Sequence, residues 1–290
     1  MTEITKAVIP CGGMGTRFLP VTKAVPKEIL PVVDTPVLAY IVNEAIDSGI
    51  TDIMIVLGRG KEAIREYFSP NPELEDALEK AGKIEFLQTV KRTYSRANIV
   101  FAEQPRPLGS GDAVMRARSF TGDAPFALAW GDDLVYSEIP VMKQLADAYE
   151  KTGKSVLGVQ TVNTDDIVKY GVARVGASDG RTYDCLSVVE KPPLSELPSR
   201  LAALGRYVLT SEIYDEILKV KPSANGEIQF TDALNSMCEK GKVCAYDFIG
   251  RRYDMGDKFG ATVAALEYGL RSPVFGVRLK NYLKELLETK

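Results

Sequence analysis

The chain has 290 residues, 45% hydrophobic and 26% charged, with a net charge of -3. Such a composition belongs to an ordinary globular protein with material for one large α/β unit, and it offers no basic excess for nucleic acid or an anionic membrane. There is no histidine, which excludes Ser-His-Asp and Cys-His catalysis, HExxH metal sites and histidine proton shuttles.

The first predicted element is an apolar run, KAVIP at residues 6–10, which reads as a buried strand. It leads into CGGMGTRFLPVTKAVPKEILP, where Gly12, Gly13 and Gly15 precede Arg17, Lys23 and Lys27 on a path stiffened by Pro20, Pro26 and Pro31. Neither GxxxxGK[ST] nor GxGxxG fits this loop. Glycines admit a plain strand-to-helix turn as readily as a phosphate cradle. The arginine and lysines at this spacing favour the cradle, because a solvated charge run needs neither glycine nor proline.

Helical spacing of Val37, Leu38, Ile41, Val42, Ala45 and Ile46 predicts a helix over 36–48, stopped by Gly49. A strand follows at 52–57, and helices at 60–68 and 72–81. Strands at 99–102, 126–130 and 155–160 alternate with helices near 111–119 and 139–151. This alternation implies βαβ units and a mostly parallel sheet flanked by helices, a Rossmann-like α/β fold. Beyond about residue 160 shorter β segments appear at 171–175, 184–190, 205–209 and 243–249, with helices at 211–219 and 229–240. No long polar linker separates the two parts, so the expectation is a single domain over 1–290. Within it, residues 1–160 form one lobe, 161–272 a smaller β-containing lobe packed against it, and 273–290 a C-terminal helix. Val277, Leu279, Tyr282, Leu283, Leu286 and Leu287 give that helix an apolar stripe for a core or a subunit partner.

Cys11, Cys185, Cys238 and Cys244 form no CxxC pair and read as buried free thiols in a reducing compartment. No apolar run reaches the roughly 18 residues of a membrane span, and MTEITKAVIP lacks the features of a secretory signal. A cytoplasmic location is expected by default.

The run GGMGTRFLPVTKAVPKEILP closely resembles the signature of the sugar-phosphate nucleotidyltransferases. GKEAIREYF, AEQPRPLGSGDAV, WGDDLV, KYGV, VEKP, GRYVLT, NGEIQFTDAL and GRRYDMGDKFG follow in that family's order. The forms PKE and VVDTP are most similar to those of bacterial UTP–glucose-1-phosphate uridylyltransferases. The resemblance implies attack of a sugar 1-phosphate on the α-phosphorus of a nucleoside triphosphate, with release of pyrophosphate. The attacking phosphate is already ionised near neutrality, its second pKa being about 6. No general base is then needed, and alignment and electrostatics supply the catalysis.

By the same resemblance Arg17 holds the departing pyrophosphate and Lys27 bridges triphosphate oxygens. Gly12, Gly13, Gly15 and Glu28 line the nucleotide, and Gln104 and Gly109 read the base. A glutamine amide offers an acceptor and a donor, matching N3–H and O4 of uracil. Asp132 and Asp254 hold Mg2+, while Gly171, Glu190 and Lys191 receive the sugar phosphate. Asp133 is read as a turn or cap residue, while the segment GEIQFTDAL either helps to shape the pocket or lets Thr231 or Asp232 cap a helix. Where the uridylyltransferases carry Gly-x-Gly-His, this chain has Gly109, Ser110, Gly111 and Asp112, and Asp112 is expected to cap a helix starting near Ala113. The implied partners are UTP, glucose 1-phosphate, UDP-glucose, pyrophosphate and further copies of the chain. A sister enzyme using dTTP or another hexose 1-phosphate, and a non-catalytic nucleotide-sugar sensor, are the competing readings. Uracil and thymine differ by one methyl, worth about 1–3 kcal/mol in an apolar pocket.

Overall fold

The computed structural model describes residues 3–288. A nine-stranded mixed sheet forms its centre. Four neighbouring strands are parallel, in the spatial order Asn98–Glu103, Asp52–Leu57, Lys6–Cys11 and Phe126–Ala129. Leu201–Leu209 then runs antiparallel between Phe126–Ala129 and Ser155–Thr161, and Val243–Asp247 lies parallel to the latter. The hairpin Gly171–Asp179 and Thr182–Glu190 completes the far edge. The sheet is therefore continuous across both parts of the sequence.

Helices cover both faces, which explains why Lys6–Cys11 and Asp52–Leu57 bury every residue after the first. On one side lies Val37–Asp47, preceded by Pro36 and buried through Val37, Leu38, Ile41, Val42 and Ala45. On the other, Glu212–Ile217 and Phe230–Glu239 seat Ile213, Phe230, Ala233 and Leu234 against Leu128, Leu157 and Tyr207.

The predicted elements are found with end shifts of a few residues, with additions that include two helices and the short strands Asp133–Tyr136 and Arg251–Asp254. Ile84–Ser95 and Lys258–Arg271 are helices that the pattern did not reveal. The first buries Leu87 and the second Ala264 and Gly269, so neither carries an apolar stripe of ordinary width. The hairpin strands also run further than expected, meeting at a two-residue loop beyond Asp179 where Gly180 takes φ 60°. The terminal helix is Gly276–Glu288; the last two residues of the predicted segment lie outside the described part. Its half-buried Leu279 and Leu283 face inward, while Val277, Tyr282, Leu286 and Leu287 are exposed. Among the described residues no helix is long and apolar enough to cross a membrane.

Candidate active site

Adjacent parallel strands deliver the chemistry to one place. Lys6–Cys11 pairs with Phe126–Ala129, so the glycine loop after Cys11 and the Trp130-Gly131-Asp132 segment leave the same edge of the sheet. That edge, at the carboxyl ends of parallel strands, is where open α/β sheets bind ligands. From the glycine loop the chain descends through three short 3-10 turns, Thr16–Phe18, Val21–Lys23 and Lys27–Ile29. The last returns Lys27 to the loop, and its ammonium donates to Asp132 Oδ2. Burial lowers the Lys27 pKa, but the charge and hydrogen bond of Asp132, with the Glu28 charge, together outweigh it and hold the ammonium above its usual range. Burial likewise raises Asp132, yet Lys27, with Arg252 and Arg17, holds that carboxyl below its usual range.

A second pair of strands completes the charged centre. Arg251–Asp254 pairs antiparallel with Asp133–Tyr136, setting Asp254 opposite Asp133. Arg252 donates to Asp133 Oδ1 and stacks over the Tyr170 ring with its guanidinium carbon 4.5 Å from the centroid. Tyr170 in turn donates to Asp254 Oδ2 at 3.0 Å, and the Gly256 amide donates to Oδ1 at 2.9 Å. Asp133 is therefore an ion-pair partner of Arg252, in place of the turn or cap role expected for it. Among the described residues no three His, Cys, Asp or Glu side chains cluster to hold a metal. Asp132 and Asp254 supply oxygen donors alone.

A cavity of about 730 Å3 opens here, lined by Arg17, Asp132, Asp254, Gly171, Glu190 and Lys191 among others. Gly171 sits opposite Glu190 in the hairpin register, and a Cβ there would meet Glu190 Oε2 at 3.3 Å. Lys191 turns at φ 47°, unusual for a residue with a Cβ, while its amide donates to the Tyr170 carbonyl at 3.1 Å. Trp130, Tyr207 and Phe230 pack edge to face along one wall.

Gly12 and Gly13 face a second cavity of about 410 Å3, which Lys27, Glu28, Gln104 and Gly109 also help to line; Gly15 is not on its wall. Ser110, Trp130, Asp132 and Gln229 line both cavities, so the two meet beside the Lys27–Asp132 pair. Glu28 is buried and accepts from Lys61 Nζ at 2.6 Å; Lys61 also donates to the Gly13 carbonyl at 2.9 Å. Burial and the Glu28 charge push the Cys11 thiol well up, leaving it a poor nucleophile. Gly109 has φ 98° and a Cβ would meet the Ile228 carbonyl at 2.5 Å, so glycine is required there.

Asp112 differs from expectation. The helix is Ser110–Met115 and begins after Gly109, two residues before Asp112, whose carboxylate caps nothing. It accepts instead from Gln104 Nε2 at 3.0 Å and from Arg116 at 2.7 Å. Gln104 Nε2 also donates to the Gly109 carbonyl at 2.9 Å, so both amide protons are engaged within the protein. Gln104 then offers an acceptor to the cavity, without the expected donor. Thr231 and Asp232 likewise make no capping bond to the helix Phe230–Glu239.

Sequence reasoning passed over Lys61, Tyr170 and Arg252 as functional residues. All three lie in quoted segments, GKEAIREYF, KYGV and GRRYDMGDK. Their partners are 33, 84 and 119 positions away, which no local pattern encodes. Gln229, in the segment GEIQFTDAL, lines both cavities.

Residues 6–264 match the family described as nucleotidyl transferase, and the chain belongs to that family. Within it, a UTP–glucose-1-phosphate uridylyltransferase of Bacillus subtilis is 46% identical over 287 residues, covering 99% of this chain and 98% of the relative. A UTP-bound UGPase from Acinetobacter baumannii superposes with a TM-score of 0.90 at 35% identity, covering 98% of this chain and 99% of that one. A UDP-glucose pyrophosphorylase complexed with UDP-glucose gives 0.84 at 35% identity, covering 93% of this chain and 100% of that one.

Proposed function

We propose that this chain transfers a uridylyl group from UTP to glucose 1-phosphate, giving UDP-glucose and pyrophosphate. The observation that carries the reading is the meeting of two cavities at one charged junction. The glycine-lined cavity takes the nucleotide, and the larger one takes the sugar phosphate beside Gly171, Glu190 and Lys191. Their shared wall at Asp132, with Lys27 against it, is where the attacking phosphate oxygen and the α-phosphorus would meet.

The residues fit the electrostatic task. Two polyanions must approach, and Arg17, Lys27 and Arg252 surround the junction with cations. Lys27 neutralises charge on the transferring phosphoryl group, and Arg17 neutralises the departing pyrophosphate. An oxygen-only donor pair of Asp132 and Asp254 suits Mg2+, which takes one or two carboxylates and fills its octahedron with phosphates and water. Bound there, Mg2+ would supply Lewis-acid stabilisation of phosphate charge. Lys27 engages Asp132 in this structure and would be free to turn to phosphate oxygens once a cation holds that carboxylate. The absence of a histidine base is consistent with a nucleophile ionised in solution. The exposed apolar side of the terminal helix supports a homo-oligomer.

Pyrophosphate release tests the reading, measured with UTP and dTTP, each against glucose, galactose and N-acetylglucosamine 1-phosphates, with and without Mg2+. Highest kcat/KM is expected for UTP with glucose 1-phosphate and Mg2+. A strong dTTP preference would overturn the choice of nucleotide, and binding without turnover would make the chain a sensor.

A further inference from the structure

We propose that Asp112 is a positioning residue for base selection, setting the orientation of the Gln104 amide so that the nucleotide cavity accepts a base with N3–H and rejects cytosine. This deepens the uridylyltransferase reading and rests on it. Its basis is a directed chain of hydrogen bonds. Arg116, four residues on and at the C-terminal end of that helix, donates to Asp112 Oδ1 at 2.7 Å. Asp112 Oδ2 receives Gln104 Nε2 at 3.0 Å, and the Gly109 carbonyl receives the same nitrogen at 2.9 Å. An ionised carboxylate and a carbonyl only accept, so the face of Gln104 turned toward them must be the NH2. The reverse orientation would set Oε1 against two acceptors.

Oε1 is consequently committed to the cavity side. A Cβ on Gly12 would meet it at 2.8 Å, which places it beside the glycine loop, and it accepts no hydrogen bond among the described residues. Gln104 and Asp112 are both buried, so the amide cannot exchange partners with bulk water at little cost. A lone acceptor in that position pairs with the N3–H of uracil or thymine. Cytosine presents an unprotonated N3, and two acceptors would face each other. Asp112 is blind to the C5 methyl, so it separates UTP and dTTP from CTP without separating UTP from dTTP.

The Asp112→Asn variant reverses the logic. Its single side-chain oxygen is claimed by the charged Arg116, which leaves an NH2 facing Gln104 and favours the flipped amide. Equilibrium binding of UTP, dTTP and CTP, without sugar, is measured by calorimetry for the wild type, Asp112→Asn and Asp112→Ala. Steady-state kinetics with glucose 1-phosphate run in parallel. The wild type is expected to prefer UTP over CTP by on the order of 100-fold or more, as expected where a buried polar group is left unpaired. In Asp112→Asn that ratio should fall at least tenfold and KM for UTP should rise, while the UTP to dTTP ratio and kcat stay within about threefold. Asp112→Ala, which removes the lock without reversing it, should show a smaller fall in the same ratio. A merely structural role would weaken all three nucleotides alike. An unchanged UTP to CTP ratio in both folded variants would overturn the inference and leave the enzymatic reading standing. Failure of the wild type to bind UTP would overturn the enzymatic reading itself.

Discussion

Lys61 and Glu28 form a buried ion pair at 2.6 Å, and Lys61 reaches past it to the Gly13 carbonyl at 2.9 Å. One ammonium thus ties the glycine loop to the turn that carries Lys27. Removing it strands the Glu28 carboxylate, which is 1% exposed. Lys61→Ala is expected to lower stability by about 3–5 kcal/mol in urea unfolding. The double variant Lys61→Met, Glu28→Leu should recover most of that loss while KM for UTP stays raised. Stability unchanged in the single variant would show that the pair does not hold the loop.

In the proposed reaction Lys27 acts on the chemistry. Its contact with Asp132 puts a permanent ammonium at the junction of the two cavities. Lys27→Ala should lower kcat by about 100- to 1,000-fold, the usual effect of deleting a preorganised charge donor. Thermal unfolding should show the fold intact. A Lys27→Arg variant is not expected to rescue it, because a planar guanidinium cannot take the place of a compact ammonium. Turnover near normal in Lys27→Ala would remove this residue from the mechanism.

Arg206 is fully buried and grips Glu44 through Nε at 3.1 Å and Nη2 at 2.8 Å, with Nη2 also reaching the Asp133 carbonyl at 2.8 Å. This brace joins the helix Val37–Asp47 to the sheet directly under the strand carrying Asp133. Arg206→Met should cost about 3–5 kcal/mol by leaving Glu44 unpaired. Adding Glu44→Met should restore much of it. If the double variant is as unstable as the single, the loss comes from packing rather than the stranded charge.

Glu216 reports on pH. Hydrogen bonds from Lys219, Lys240 and Ser236 hold its pKa down to about 2, linking the helices Glu212–Ile217 and Phe230–Glu239. A folded-state pKa below the ordinary 4.5 means stabilisation present above that value and lost as pH falls through about 2. Both lysines are exposed, so screening limits the contribution to about 1 kcal/mol. The stability gap between wild type and Glu216→Gln, from urea titrations at several pH values, should be widest above pH 5 and close toward pH 2. A gap constant with pH would exclude ionisation as its source.

The long apolar runs were readable because burial on both faces leaves no polar position to confuse the period. Asp52–Leu57 matches its prediction to the residue. The helix Ile84–Ser95 was hidden because it lies on the surface with one buried residue. Leu201–Leu209 was seen only from Gly205 onward. Leu201–Ala203 pair with Ser155–Thr161 in one register and Tyr207 onward in another, with the break between Ala203 and Tyr207.

The site was legible to a similar degree and for a related reason. A glycine loop, a basic turn and carboxylates after strands are local chemistry, and sequence by itself determined that Arg17 and Lys27 follow a glycine loop at the spacing expected of a polyanion cradle. Only the tertiary structure decided what each group faces. Asp112 looked like a cap because capping is the local option for an aspartate near a helix start. A glutamine eight residues upstream and an arginine one turn on claimed its two oxygens instead. Arg252 found Asp133 because two short strands paired antiparallel. Hydrogen-bond direction is set by whichever buried partners the fold brings within 3 Å or so, and burial enforces the match since water cannot make up for a missing one.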